Sequence, residues 1–292
     1  MSYFYLIIAV ISTSLGSVFC EFYNRKTVGY KNATQLFNFV RLCSTLVVWG
    51  IIYACDFSFE WGVLWYSLGF GLCFALVNVC IIYAFQYGSV ALTSLILQTS
   101  LIGVTIWGLI FWKAPVTTLV VVGLILVLIS LALCIFEKKN TDKSTKKFSV
   151  KWIIFTLGAF VGNAGSSIIQ REQQMVYDGK HGSMMMVFAV LISTLICLFL
   201  YLRCDRKNCQ PVPKRNLAFP VATGVINSML NLFVIILATS ELSPSLIYPV
   251  LAVGGLAVTM LFSIFAFKEK LKWWQWIGIV IGAVAIALLN IK

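Results

Sequence analysis

The chain has 292 residues, 60% hydrophobic and 11% charged, with mean hydropathy +0.94 and a formal net charge of +12. A soluble domain has no use for a run such as Trp61–Trp112, 52 residues without Asp, Glu, Lys or Arg, so that class is excluded. On a soluble protein the charge would point to nucleic acid. Here the basic residues lie between apolar runs, so the expected partner is the lipid bilayer and no nucleic-acid partner is expected.

A hydrocarbon core of ~30 Å takes about 20 apolar residues per helical crossing. Ten such stretches follow one another: Tyr3–Cys20, Leu36–Ala54, Val63–Phe85, Val90–Trp112, Val116–Phe136, Trp152–Gln170, Ser183–Leu202, Leu217–Thr239, Pro244–Phe267 and Trp273–Ile291. Unpaired backbone groups are costly in lipid, so each is expected to be an α-helix. Barrel strands would alternate apolar and polar residues over about ten positions, and these runs do not. The two long runs are divided by turn chemistry at Gln86-Tyr87-Gly88-Ser89 and at Glu241-Leu242-Ser243-Pro244. The first stretch lacks a basic leader and its apolar part is long, so it reads as a membrane helix rather than a cleavable signal peptide.

Charge sets the orientation. Loops 1–2, 5–6, 7–8 and 9–10 hold Arg25, Lys26 and Lys31; Lys138, Lys139, Lys143, Lys146, Lys147 and Lys151; Arg203, Arg206, Lys207, Lys214 and Arg215; and Lys268, Lys270 and Lys272. Those seventeen face four on the other side, Lys113, Arg171, Lys180 and Lys292. The positive-inside rule then puts the odd-numbered loops in the cytoplasm and both termini outside the plasma (inner) membrane. The nine cysteines form an odd set without metal-type spacing and read as free thiols. No metal and no cofactor are expected.

The stretches divide five and five about the polar segment Glu137–Lys151. This gives three units: a first repeat at 1–136, a basic cytoplasmic linker at 137–151 and a second repeat at 152–292. Setting Ala84 on Ala238 pairs Ser89 with Ser243, Leu97 with Leu251, Val104 with Val258, Thr105 with Thr259 and Phe111 with Phe265. An odd number of helices per repeat turns the second half upside down, and inverted repeats are the mark of secondary transporters. The expected fold is an all-α polytopic membrane protein, ten transmembrane helices as two inverted five-helix repeats around a central cavity. Duplication within one chain makes a partner subunit unnecessary, so a monomer is expected.

The segment from Leu246 through Pro249 to Glu269, Leu271, Gln275, Gly278 and Gly282 resembles the closing segment of EamA-type members of the drug/metabolite transporter superfamily. Leu15-Gly16-Ser17 is similar to the family's Trp-Gly-Ser opening, and Arg41 stands where its second helix often carries an arginine. Leu15, Ala114 and Lys268 depart from the pattern. The resemblance implies ten helices around a cavity and transport of a small metabolite, often efflux. It does not name the solute.

Transporter sites lie near the bilayer midplane, at the interface between repeats. The polar and aromatic side chains there are Ser14, Asn78, Tyr83, Gln98, Trp107, Asn163, Asn227, Asn231 and Tyr248, the candidate solute-binding set. Asn and Gln inside a membrane are costly unless they meet partners or water. Each therefore either lines a cavity or clasps two helices. Helix-1 hydroxyls read also as packing residues, and the aromatics as core or interface belt. Arg41 is the one charge inside a span, expected to snorkel or to pair with Glu21. With no Asp, Glu, Lys or His near a midplane, a proton relay is not expected. The leading reading is a secondary transporter, not an enzyme, exporting a neutral or zwitterionic, amino-acid-like metabolite. Alternatives are a transporter of aromatic or quaternary-ammonium cations through an aromatic box, or a non-transporting, lipid-handling accessory protein.

Overall fold

A helix satisfies its own backbone groups in lipid, and each of the ten apolar stretches carries helix in the computed structural model. It describes residues 1–27, 30, 32–87, 90–113, 117–135, 150–203, 212–267 and 272–290. The helices are α1 (Ser2–Lys26), α2 (Ala33–Cys55), α3 (Trp61–Tyr87), α4 (Val90–Phe111), α5 (Thr118–Ile135), α6 (Val150–Val176), α7 (Gly182–Arg203), α8 (Ala218–Ala238), α9 (Pro244–Pro249), α10 (Gly255–Phe267) and α11 (Trp273–Asn290). No strand occurs among the described residues. Seven helical stretches are long and apolar enough to cross a membrane, and three shorter apolar ones lie in α4, α5 and α11. Linker residues 137–149, the turn at Gly88 and Ser89, the Glu269 turn, and Cys204 and Cys209 lie outside the described residues.

Burial runs opposite to that of a water-soluble protein. Trp61, Trp65, Leu68, Leu72 and Leu76 make an exposed stripe at helical spacing on α3, as do Ile153, Ile154, Leu157 and Val161 on α6. Ser14, Asn38, Thr45, Ser67, Asn78, Ser100 and Ser193 are buried between the helices. Apolar surface of this extent facing outward is suited to lipid, not to water.

The two halves interleave. α1 packs on α8 and α10, α2 on α7 and α8, α3 on α6 and α7, α4 on α6 and α9, and α5 on α11. Small residues permit the close crossings that membrane helices favour. A Cβ on Gly162 of α6 would lie 2.8 Å from the Cys73 carbonyl oxygen of α3, and one on Gly224 of α8 would lie 2.4 Å from that of Arg41 in α2. At the second crossing Thr45 Oγ1 donates to the Gly224 carbonyl at 3.1 Å and Ser44 Oγ to that of Val221 at 2.9 Å.

Two expectations are corrected, and the stretch through Pro249 takes a form not predicted: α9 passes through a π-helical turn, Val250–Gly254, into α10. Proline removes one donor from the ladder, and the wider turn lets the chain continue. The Arg41–Glu21 pair does not form, because Glu21 Oε1 accepts from Arg25 Nε at 2.7 Å on the same helix. Nor does Arg171 lie in an outer loop. α6 runs six residues past the predicted Gln170 end, to Val176, and Arg171 is buried on it at 7% exposure. The helix stops where turn chemistry appears, with Asp178 at φ 49° and Gly179 at φ 79°.

Candidate functional site

At the end of the bundle that carries the basic loops, α2, α3 and α7 enclose a cavity of about 230 Å³. Its lining comprises Gln35 and Asn38 from α2, Asn78, Val79 and Tyr83 from α3, and Cys197, Leu200 and Arg203 from α7. Asn78 joins two helices there. Its Oδ1 accepts from Arg41 Nη2, and its Nδ2 donates to the Phe74 carbonyl at 2.7 Å. Arg41 Nε is enclosed without a partner, so the Asn78 oxygen meets much of this cation's need for an acceptor. Tyr83 stacks on Phe155 of α6, ring centroids 4.9 Å apart.

Further along the bundle, polar groups continue on the inward face of α6. Asn163 Nδ2 donates to Ser100 Oγ of α4 at 2.6 Å, two residues from the half-buried Gln98. Gln170 Nε2 lies 3.4 Å from Asn231 Oδ1 of α8, whose Nδ2 donates to the Asn227 carbonyl at 2.8 Å. The side-chain Nδ2 of Asn227 is enclosed and has no partner. Ser14 is fully buried on α1, with its hydroxyl 3.0 Å from the carbonyls of both Val10 and Gly255, a clasp between α1 and α10.

At the end opposite the basic loops, α4, α6 and α9 meet around Tyr248, which is 2% exposed and packs with Val104 and Ala164. Its hydroxyl donates to the Ser167 carbonyl at 3.5 Å. The Arg171 guanidinium sits beside that hydroxyl and 5.1 Å from the centre of the Trp112 ring. Trp112 Nε1 donates to Glu172 Oε1 at 2.5 Å. One turn farther along α6, Gln173 Nε2 donates to the Lys180 carbonyl at 2.9 Å, and Gln174 Nε2 donates to Gln173 Oε1. Trp107 points elsewhere: it is 37% exposed and stacks on Phe111 at 4.0 Å.

The nine candidates therefore fall into different surroundings. Asn78 and Tyr83 share the cavity. Asn163, Asn227 and Asn231 belong to the polar file on α6 and its neighbours, and Tyr248 stands at its far end. Ser14 joins α1 to α10, and Trp107 faces outward. Arg171, Gln173, Gln174 and Gln35 lie outside the apolar runs from which the candidate set was drawn, and Asn38, near the start of its run, was not in that set either. A signal for α6 was nonetheless present: no Gly or Pro interrupts the sequence between Gln170 and Gly179, and Gln170 and Gln174 share one helical face.

Outward apolar stripes around a buried polar file define an integral, multi-pass membrane protein built of α-helices. Residues 150–291, the second half of the chain, match the model of the EamA-like transporter family. No curated protein matches its sequence. A crystal structure of a protein 11% identical in sequence aligns with TM-score 0.77 over 99% of this chain and 96% of its own, a likeness of fold.

Proposed function

We propose that the protein is a secondary transporter of a small neutral or zwitterionic, amino-acid-like solute, working by alternating access between two inverted five-helix repeats. The observation that carries this reading is the file of buried polar groups. It runs from the Asn78 cavity past Asn163 and Asn231 to Tyr248, inside a shell of apolar stripes. Packing supports the repeats. Exchanging the first five crossings for the last five turns α1–α8 into α6–α3, α2–α8 into α7–α3, and α4–α6 into α10–α1, pairs that all occur. On this reading ten helices cross the membrane, α9, the π turn and α10 together forming the ninth crossing. π turns recur at functional sites, and this one, beside the buried Tyr248, is a natural gate.

With Arg171 inside α6, the sparsely charged face keeps only Lys113, Lys180 and Lys292. The charge bias then places both termini outside the plasma membrane. Efflux follows from the resemblance, and a monomer from the internal duplication. An aromatic box for cations gains no support, since Tyr83, Trp107 and Tyr248 stand in three separate surroundings.

The test is thermal unfolding of the detergent-purified chain against amino acids, nucleobases, sugars and quaternary amines. A ligand at a hundredfold over its Kd stabilises the native state by about 2.7 kcal/mol. Asn231→Ala and Gln98→Ala are expected to lose most of that ligand-dependent shift. The accessory-protein reading draws on the Asn163–Ser100 and Gln170–Asn231 contacts, which also clasp helices. It predicts that no ligand shifts the melt and that proteoliposomes show no flux.

A further inference from the structure

A buried guanidinium needs an acceptor, and Arg171 has few. It is 7% exposed, and its Nε and Nη1 are enclosed with no hydrogen-bond partner. The one ion pair within 4.0 Å among the described residues is Arg25–Glu21, so no described carboxylate pairs directly with Arg171; its polar neighbours are the Tyr248 hydroxyl and, farther off, Glu172. Glu172, its neighbour in sequence, directs Oε1 to Trp112 Nε1 instead. The Trp112 ring braces the guanidinium at 5.1 Å but accepts no conventional hydrogen bond. A charge held between membrane helices without a counter-charge is costly and marks function more often than packing.

We infer that Arg171 docks the carboxylate of the transported solute. The planar guanidinium fork matches a carboxylate as no other side chain does. A counter-charge that arrives and departs with each cycle accounts for a buried cation whose Nε and Nη1 have no acceptor and which no carboxylate pairs directly. The neighbouring Gln170 already touches Asn231, and Asn227 Nδ2, one turn along α8, is a second enclosed donor without a partner. The rest of the solute then meets the carboxamides of α8. This inference rests on the transporter reading and narrows it: a solute bearing a carboxylate is accepted, and a simple cation is repelled by Arg171.

The experiment uses the full chain in detergent and matched probes at equal concentration. These are L-leucine and L-phenylalanine, their carboxamides, and isoamylamine and phenethylamine, which lack the carboxyl group. The acids are expected to raise the melting temperature with at least tenfold tighter apparent binding than their amides or amines. Arg171→Gln should abolish that preference, and Arg171→Lys, which keeps the charge but not the fork, should retain it in weakened form. If acids, amides and amines act alike on the wild type, or if Arg171→Gln keeps the preference, the role of Arg171 is overturned while the transporter reading stands. If neither these probes nor the wider library moves the wild-type melt, both readings fall. Should Arg171→Gln not fold, the wild-type comparison and Arg171→Lys decide.

Discussion

Replacing Asn78 by leucine should destabilise the protein by about 3 kcal/mol, the upper range for a hydrogen bond to a buried charged group. Asn78 Oδ1 accepts from Arg41 Nη2, and Arg41 Nε is already enclosed without a partner. Leucine keeps the volume and removes the oxygen, so a buried guanidinium loses the acceptor that the fold provides. Removing the cation as well should reverse most of the damage, because breaking a buried polar pair costs far more than replacing both members by apolar groups. Arg41→Met combined with Asn78→Leu is therefore expected to unfold close to the wild type, with a coupling energy of at least about 1 kcal/mol. Thermal unfolding of the four proteins in one detergent measures it. Additive losses would mean that water, not Asn78, satisfies Arg41.

Gly224→Val should cost at least about 1–3 kcal/mol, the usual range for overpacking. The clash is with backbone: a Cβ at this position would stand 2.4 Å from the Arg41 carbonyl oxygen and 2.7 Å from Ser44 Cβ. A side chain can change rotamer, but a carbonyl within a helix cannot move without shifting α2 itself. The loss should include the contacts from Thr45 and Ser44 to α8. Gly50 on the same α2 is the control, since a Cβ there meets nothing within 4 Å. Gly50→Ala should be neutral or stabilising, by up to about 1 kcal/mol from helix propensity. The melting temperatures of the two variants distinguish a crossing point from a glycine that merely sits in a helix. Equal effects would contradict the packing of α2 on α8.

The helices were legible to within a few residues because lipid enforces them. Between Trp61 and Trp112 the chain has no charge, and the structure has α3 and α4 there, parted by residues outside the described set. The apolar criterion stopped six residues short at α1, which runs on to Lys26, and again at α6. Hydropathy drops at Arg171, but helical hydrogen bonding continues until Asp178 and Gly179 provide a turn. Once an arginine, a glutamate and two glutamines can be packed among neighbours, the helix has no reason to stop at the end of its oily part. The same oversight hid the far end of the candidate site. The π turn also escaped, since Pro249 marks a disturbed ladder without saying how the ladder closes again.

The sequence by itself determined that this is a helical membrane protein, which stretches are helical and which end is basic. Those properties depend on residue type and run length, and a bilayer reads both directly. Only the tertiary structure decided which polar groups meet. Arg41 and Asn78 are 37 residues apart, Trp112 and Glu172 are 60 and Gln170 and Asn231 are 61. No periodicity within one helix records which face of another it will touch. That choice comes from the small residues and shapes at each crossing, so Asn78 became the partner of a buried cation, Trp107 faced outward, and Arg171 came to rest beside Tyr248.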